Sequence, residues 1–296
     1  MSVFSRDWLK LRESADLAAR DPALARRFAA SLRRAPGQPV RLIDLGAGTG
    51  ANCRALMPRI GGDQDWLLID RDHDLVAAQA GEMALWARHQ GYPILAGGGR
   101  MTITTGSARW RVTSRALDLA QDLAALDDVK AHGVTAAALF DLVSAAWLDG
   151  FAALLARRGL PLLAALTVDG KREWSPAHAG DQAIAAAFRR HQSGDKGFGP
   201  ALGGAAGILA SSFAARGFTV TEAVSDWRLG ARDEALLAEL VAGEVSAARA
   251  AQPLDATLVQ DWEKERRSQL KDGRLRLTIG HRDLLALPSR TGNMTA

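Results

Sequence analysis

The run Gly46-Ala47-Gly48-Thr49-Gly50 is where chemistry is most readable in the sequence. It follows the short apolar run Val40-Arg41-Leu42-Ile43-Asp44-Leu45 and precedes a helix-forming stretch from Ala51 to Ile60. A strand that ends in spaced glycines and passes into a helix leaves a turn without side chains, its N–H groups turned toward a ligand. Asp70 ends the next apolar run, Trp66-Leu67-Leu68-Ile69, 20 positions after Gly50. A carboxylate so placed accepts hydrogen bonds from both hydroxyls of a ribose. Together these features predict a site for an adenosine-bearing cofactor, and leave open a dinucleotide or S-adenosylmethionine.

Extended through Ala51, the glycines also satisfy the dinucleotide pattern G-x-G-x-x-G/A. Three features weigh against that reading. Asp44, two residues before Gly46, sets a negative charge beside the turn, which suits a sulfonium or an ammonium and is awkward beside a pyrophosphate. The one tyrosine, Tyr92, has Ala96 four residues on, so a Tyr-x-x-x-Lys hydride-transfer pair is absent. The chain also closes on a strand-helix-helix-strand pattern instead of a second mononucleotide-binding half. An NAD(P)-dependent oxidoreductase is therefore the alternative, and a non-catalytic S-adenosylmethionine-binding protein a further one.

Val40 to Gly50 resembles the first motif of the class I S-adenosylmethionine-dependent methyltransferases of the small-molecule type, and Asp70 the acid of their second motif. Asp118-Leu119 is similar to their adenine-binding position. Phe140-Asp141-Leu142-Val143-Ser144-Ala145-Ala146-Trp147-Leu148 is similar to their fourth-strand motif. The resemblance spans Val40 to Val168 and, more loosely, Phe218 to Leu285. It implies that Gly46, Ala47, Gly48 and Gly50 cradle the methionine part, with Asp44 facing its ammonium or a bridging water. It further implies that Asp70 holds the ribose, Arg71 flanks the adenine, and Asp118 with Leu119 reads its edge. Ser144 and Ala145 would lie beside the methionine moiety, and Trp147 near the methyl group.

Methyl transfer is an in-line displacement at an activated carbon, so alignment and exclusion of water are the main requirements. A base is needed only for a nucleophile that cannot shed its proton unaided. Ser144-Ala145-Ala146-Trp147 lacks the Asn/Asp-Pro-Pro-Tyr/Phe sequence that grips a planar amide or amine, which disfavours adenine and glutamine as acceptors. An O, N or C nucleophile of a small metabolite remains. Of the six histidines, His73, His89 and His132 fall in or beside surface helices, and His281 ends the last strand. His178 and His191, in the irregular stretch before the glycine cluster Gly194-Gly197-Gly199, are the candidates for a base. No His/Asp/Glu pair has metal-ligand spacing, so no metal is expected.

The elements that must position these groups follow the same pattern. Arg6 to Arg34 reads as two helices divided at Asp21-Pro22, a cap followed by proline. Alternating strands and helices from Val40 onward predict an α/β fold, a doubly wound, mostly parallel seven-stranded sheet, which the resemblance identifies as Rossmann-like. Its fourth strand is expected at Leu139 to Ser144, its fifth at Leu160 to Val168, its sixth at Phe218 to Leu229 and its last at Arg274 to His281. Residues 1–36 form a helical cover and 37–170 the cofactor-binding core. An acceptor-side lid spans 171–216, the remaining core 217–287, and a tail 288–296. Trp8, Arg12, Glu13 and Asp16 are the cover residues expected to close over the cofactor.

Composition narrows the setting. Among 296 residues, 37 Lys+Arg against 33 Asp+Glu leave a net charge of +4, too small to argue for a nucleic-acid partner. The lone cysteine, Cys53, rules out an intramolecular disulfide and points to a reducing compartment, the cytoplasm by default. Charged residues interrupt every apolar stretch before the ~20 residues of a membrane span, and the first residues lack the apolar segment of a signal peptide. No membrane partner is expected, and the oligomeric state is not encoded legibly.

Overall fold

The computed structural model describes residues 4–202, 204–250 and 254–289. The chain opens with two helices, Arg6–Ala19 (α1) and Pro22–Ser31 (α2). Ser5 caps the first by accepting from the Trp8 N–H, and Asp21 caps the second by accepting from the Leu24 N–H, with Pro22 in the first turn. The division expected at Asp21-Pro22 is therefore present. Then follow Val40–Leu45 (β1), Ala51–Ile60 (α3), Gln64–Asp70 (β2) and His73–His89 (α4). Three strands come next, Ile94–Gly97 (β3), Arg100–Thr104 (β4) and Arg109–Ala116 (β5), before Gly133–Ala137 (β6), Ala145–Arg158 (α5) and Leu162–Ser175 (β7). The remainder is Asp181–Gln192 (α6), Ala206–Ala214 (α7), Phe218–Val224 (β8), Trp227–Leu229 (β9), Glu234–Ala250 (α8), Ala256–Lys271 (α9) and Arg276–Pro288 (β10).

The described residues form one ten-stranded sheet, ordered β3-β4-β5-β2-β1-β6-β7-β10-β8, with β9 also paired to β10. The central block β5-β2-β1-β6-β7 is parallel. The α/β class and doubly wound core are as expected, but the strand count of seven is not. A meander of β3 and β4 extends the sheet antiparallel from β5, and β9 splits from β8 at Ser225-Asp226. β10 runs antiparallel between β7 and β8.

Side chains of β1 alternate between the two faces. Leu42 packs with Phe28, Met57 and Trp66 under α2, α3 and α4, while Ile43 and Leu45 pack with Leu148, Phe151 and Phe213 under α5 and α7. A third cluster, around Trp174, Trp262 and Leu237, joins α6, α8 and α9 to the extended ends of β7 and β10. No helix of the described residues is long and apolar enough to cross a membrane.

The fourth strand of the sequence reading is displaced. The strand is β6, and Leu139 to Ser144 forms a turn with a single 3-10 turn at Phe140–Leu142. Gly133–Ala137 is short and holds only two β-branched residues, a weak strand signal, and its pairing with β1 on one side and β7 on the other makes it a buried strand. β7 also continues to Ser175, so the first residues of the expected lid, from Lys171, are sheet. Pro288 of the expected tail is the last residue of β10, and 290–296 lie outside the described residues.

Candidate active site

β1 delivers its end into the glycine turn, and the turn is held open by backbone bonds. Gly46 and Gly48 both have φ in the left-handed region, +59° and +53°. The Gly48 N–H donates to Asp70 Oδ2 at 2.7 Å, and its carbonyl accepts from Gln79 Nε2 at 2.9 Å. A Cβ at Gly48 would meet Leu9 Cδ1 of α1 at 2.9 Å, so the first helix rests directly on the turn. Gly50 has a different part from the one expected. It faces inward, where a Cβ would meet Met83 Cε at 3.0 Å and Leu68 Cδ1 at 3.3 Å, and it lets α3 pack close to β2 and α4.

Over the turn lies a cavity of about 140 Å³. Its floor is Gly46 to Thr49 with Ala51 and Asn52. Asp70, Arg71, Leu117 and Leu119 form one end, and Ala137, Ala138, Leu139 and Leu142 the other. Its roof is α1 with its C-cap, through Leu9, Arg12, Asp16 and Arg20. Lys196 and Phe198 reach in from the second glycine cluster. That loop is folded on itself by Asp195, whose Oδ1 accepts from the N–H groups of Gly197 and Gly199, and is tied across the opening by Arg71 Nη2 donating to the Lys196 carbonyl at 3.1 Å. The cover helix is tied as well. Glu13 accepts from Arg54 at 2.7 Å, and Arg54 also donates to the Thr49 carbonyl within the turn.

Asp44 lies one layer behind the wall, fully buried. Its Oδ1 accepts from Asn52 Nδ2 at 2.5 Å and Thr135 Oγ1 at 2.8 Å, and its Oδ2 has no partner among the described residues. Burial raises its pKa to about 6, opposed by the bonds from Asn52 and Thr135 and by the charge of Arg20. The wall itself is Asn52, whose Oδ1 accepts from Arg20 Nη1 at 2.6 Å. Burial lowers the pKa of Arg20, and its Nε is also unpartnered. A buried acid and a half-buried guanidinium, each with a free polar atom, thus flank the turn.

At the far end two non-glycine residues take left-handed backbone, Ala138 (φ +50°) beyond β6 and Leu166 (φ +57°) within β7. Such conformations are costly and concentrate where a chain must aim atoms at a site. Beside them Asp141 accepts from the Val168 N–H at 2.8 Å, and burial raises its pKa to about 7. An acid that binds its proton more tightly when folded loses stability as pH rises between its unfolded and folded pKa, here from about 4 to about 7. Asp141→Asn, which keeps the acceptor for Val168, is therefore expected to be more stable than the parent at pH 8 and little changed at pH 4. Urea unfolding at the two pH values is the check, and an equal effect at both would count against it.

The predicted residues divide clearly. Gly46, Ala47, Gly48, Asp70, Arg71 and Leu119 share the cavity wall. Asp118 is turned aside, its Oδ1 accepting from the Ala120 N–H in a local turn. Ser144 caps α5 by accepting from the Trp147 N–H, and Ala145 begins that helix, exposed. Trp147 belongs to the core, stacked on Phe151 at 5.1 Å with its indole N–H on the Leu119 carbonyl. The last three corrections have one cause, the displaced fourth strand, which hands the cavity edge to Ala137, Ala138 and Leu139. His178 and His191 do not line the cavity either. The first accepts from the Gly180 N–H at the start of α6, and the second is exposed near the end of that helix. No cluster of three His, Cys, Asp or Glu able to hold a metal exists among the described residues.

Sequence reasoning missed Arg20, Asn52, Thr135 and Lys196. One signal was present: Arg12, Asp16 and Arg20 recur every four residues, which places them along one side of a helix.

No protein-family model matches the chain, and no curated protein matches it in sequence. Among solved structures it is similar to the cyclopropane synthase MmaA2 from Mycobacterium tuberculosis, 14% identical, covering 89% of this chain and 83% of that one at a TM-score of 0.44. It is also similar to an S-adenosylmethionine-dependent methyltransferase from Geobacter sulfurreducens in complex with S-adenosyl-L-homocysteine, 18% identical, covering 98% and 100% at 0.42. A third is the corresponding complex from Thiobacillus denitrificans, 16% identical, covering 96% and 99% at 0.40.

Proposed function

We propose that this protein is an S-adenosylmethionine-dependent methyltransferase acting on a small-molecule nucleophile. The observation that carries this reading over a dinucleotide is Asp44: a buried carboxylate with a free oxygen directly behind the glycine turn favours a cation there and opposes a pyrophosphate. Asp70 supports it from the other side. Each of its oxygens accepts one backbone N–H, Gly48 or Asp72, and keeps a lone pair for a ribose hydroxyl.

In this reading Leu117 and Leu119 provide the apolar walls of the adenine end and Arg71 flanks it. Gly46 and Gly48 admit the amino-acid end close to the backbone. Arg20 offers a guanidinium for its carboxylate, and Asn52 with Asp44 behind it offers negative potential for its ammonium. When bound, S-adenosylmethionine supplies a methyl group on a positively charged sulfur, open to in-line attack. The chain's own contribution is enclosure: α1 covers the turn and the Asp195 to Gly199 loop covers the adenine end, so the acceptor meets the cofactor in a dry, fixed geometry.

Titration calorimetry with S-adenosylhomocysteine and, separately, NAD tests the reading. Saturable binding of the first and none of the second is expected. Binding of NAD with no response to S-adenosylhomocysteine would overturn it.

A further inference from the structure

Arg12 is held more rigidly than an exposed arginine and is only partly used. Its Nε and Nη2 donate to the two oxygens of Asp16 at 2.9 and 3.0 Å, the side-on pairing of guanidinium with carboxylate. Asp16 is itself fixed by the Trp227 indole N–H at 3.0 Å, and the Arg12 guanidinium lies over the Trp227 ring at 4.9 Å. Both charged side chains are largely shielded, 12% and 15% exposed. A guanidinium has a second bidentate edge, formed by Nη1 and Nη2, and no hydrogen bond from Nη1 is made among the described residues.

Arg12 lines the same cavity as Gly46 and Asn52, and its position identifies which end. The Trp227 ring beneath it packs against His281 of β10 at 5.3 Å, and β10 lies beyond β6 and β7, on the opposite side of β1 from β2 and Asp70. Arg20, by contrast, is engaged by Asn52. The roof thus carries two arginines of different duty.

On the methyltransferase reading above, we infer that the free Nη1/Nη2 edge of Arg12 binds a carboxylate carried by the acceptor, so that the substrate class is a small carboxylic acid. Asp16 and Trp227 act as positioning residues that keep this edge aimed into the cavity. Leu139 and Leu142 at that end leave the rest of the acceptor an apolar surface, which suits a compact acid better than a polyanion.

The test uses protein loaded with S-adenosylhomocysteine and two neutral-sized probes that differ in one group, benzoate and benzamide, titrated by calorimetry. Benzoate is expected to bind at least about 10-fold more tightly, the scale of a charge-assisted bidentate contact. Arg12→Met should remove the preference and Arg12→Lys should keep only part of it, because an ammonium retains the charge but not the fork. Circular dichroism and a thermal melt of the same samples certify that each variant is folded, and each is saturated with S-adenosylhomocysteine before the probe is added. Should Arg12→Met not fold, Asp16→Asn, which frees the fork, is expected to weaken the preference. Equal binding of the probes to the loaded parent, binding of neither, or a preference that survives Arg12→Met would overturn the inference. Failure of the parent to bind S-adenosylhomocysteine would instead overturn the cofactor reading, and benzoate titrated without it would still report on Arg12.

Discussion

Replacing Asp70 by alanine is expected to weaken S-adenosylhomocysteine binding by about 100-fold or more, since hydrogen bonds to a charged acceptor are worth about 1.5–3 kcal/mol each and two ribose hydroxyls lose theirs together. The carboxylate is also part of the turn. Its Oδ2 accepts from the Gly48 N–H and its Oδ1 from the Asp72 N–H, so alanine leaves the turn without its cross-strand tie. Burial raises the pKa of Asp70, which shows that the site holds this charge at a cost that a pair of hydroxyl donors would offset. Asp70→Asn keeps one oxygen acceptor and should lose about 10-fold. Calorimetry distinguishes the two variants. Equal, small losses would mean that Asp70 serves the turn and not the ligand.

Asp44 should show the second large effect, on stability first. Alanine there strands the buried Asn52 amide and Thr135 hydroxyl and removes the negative charge near half-buried Arg20, a change of the kind that costs about 3 kcal/mol or more. Asparagine preserves an oxygen for both donors and is expected to cost far less. Because the folded pKa of about 6 lies above the unfolded value of 3.8, the ionised group lowers stability as pH rises through that interval. Asp44→Asn should therefore compare better with the parent at pH 8 than at pH 4, while its S-adenosylhomocysteine affinity falls. Urea melts at the two pH values and a calorimetric titration check both halves, and unchanged affinity in Asp44→Asn would remove Asp44 from the ligand account.

Which parts of this were readable in the sequence depended on whether local pattern or distant packing decides. The segment from β1 to α3 is set by local rules, an apolar run, glycines and a helix, and its bounds are as read. The Asp21-Pro22 division follows from cap chemistry and holds for the same reason. β6 fails the same test. Its alanines carry no strand preference, and only burial between β1 and β7 makes it one. That single displacement of the fourth strand carried Ser144, Ala145 and Trp147 to the wrong side of the chain. The roof was legible in part: Arg12 and Asp16 were read as cover residues and line the cavity, whereas Arg20, the C-cap of α1, comes into view only with Leu9 seated on Gly48. The histidines illustrate the converse, since a residue type suited to proton transfer says nothing about whether its ring reaches a site.

The position of β10 bears on how such a molecule is made. This strand, the last of the described elements along the chain, sits inside the sheet between β7 and β8. Asp283 within it accepts from the Asp21 N–H at the head of α2, and also from the Leu166 N–H at the left-handed corner of β7. The head of α2 therefore gains this anchor only once β10, 262 positions further along the chain, is in place. Until β10 is in place, β7 and β8 each present an unpaired edge, the kind of surface that pairs with other strands.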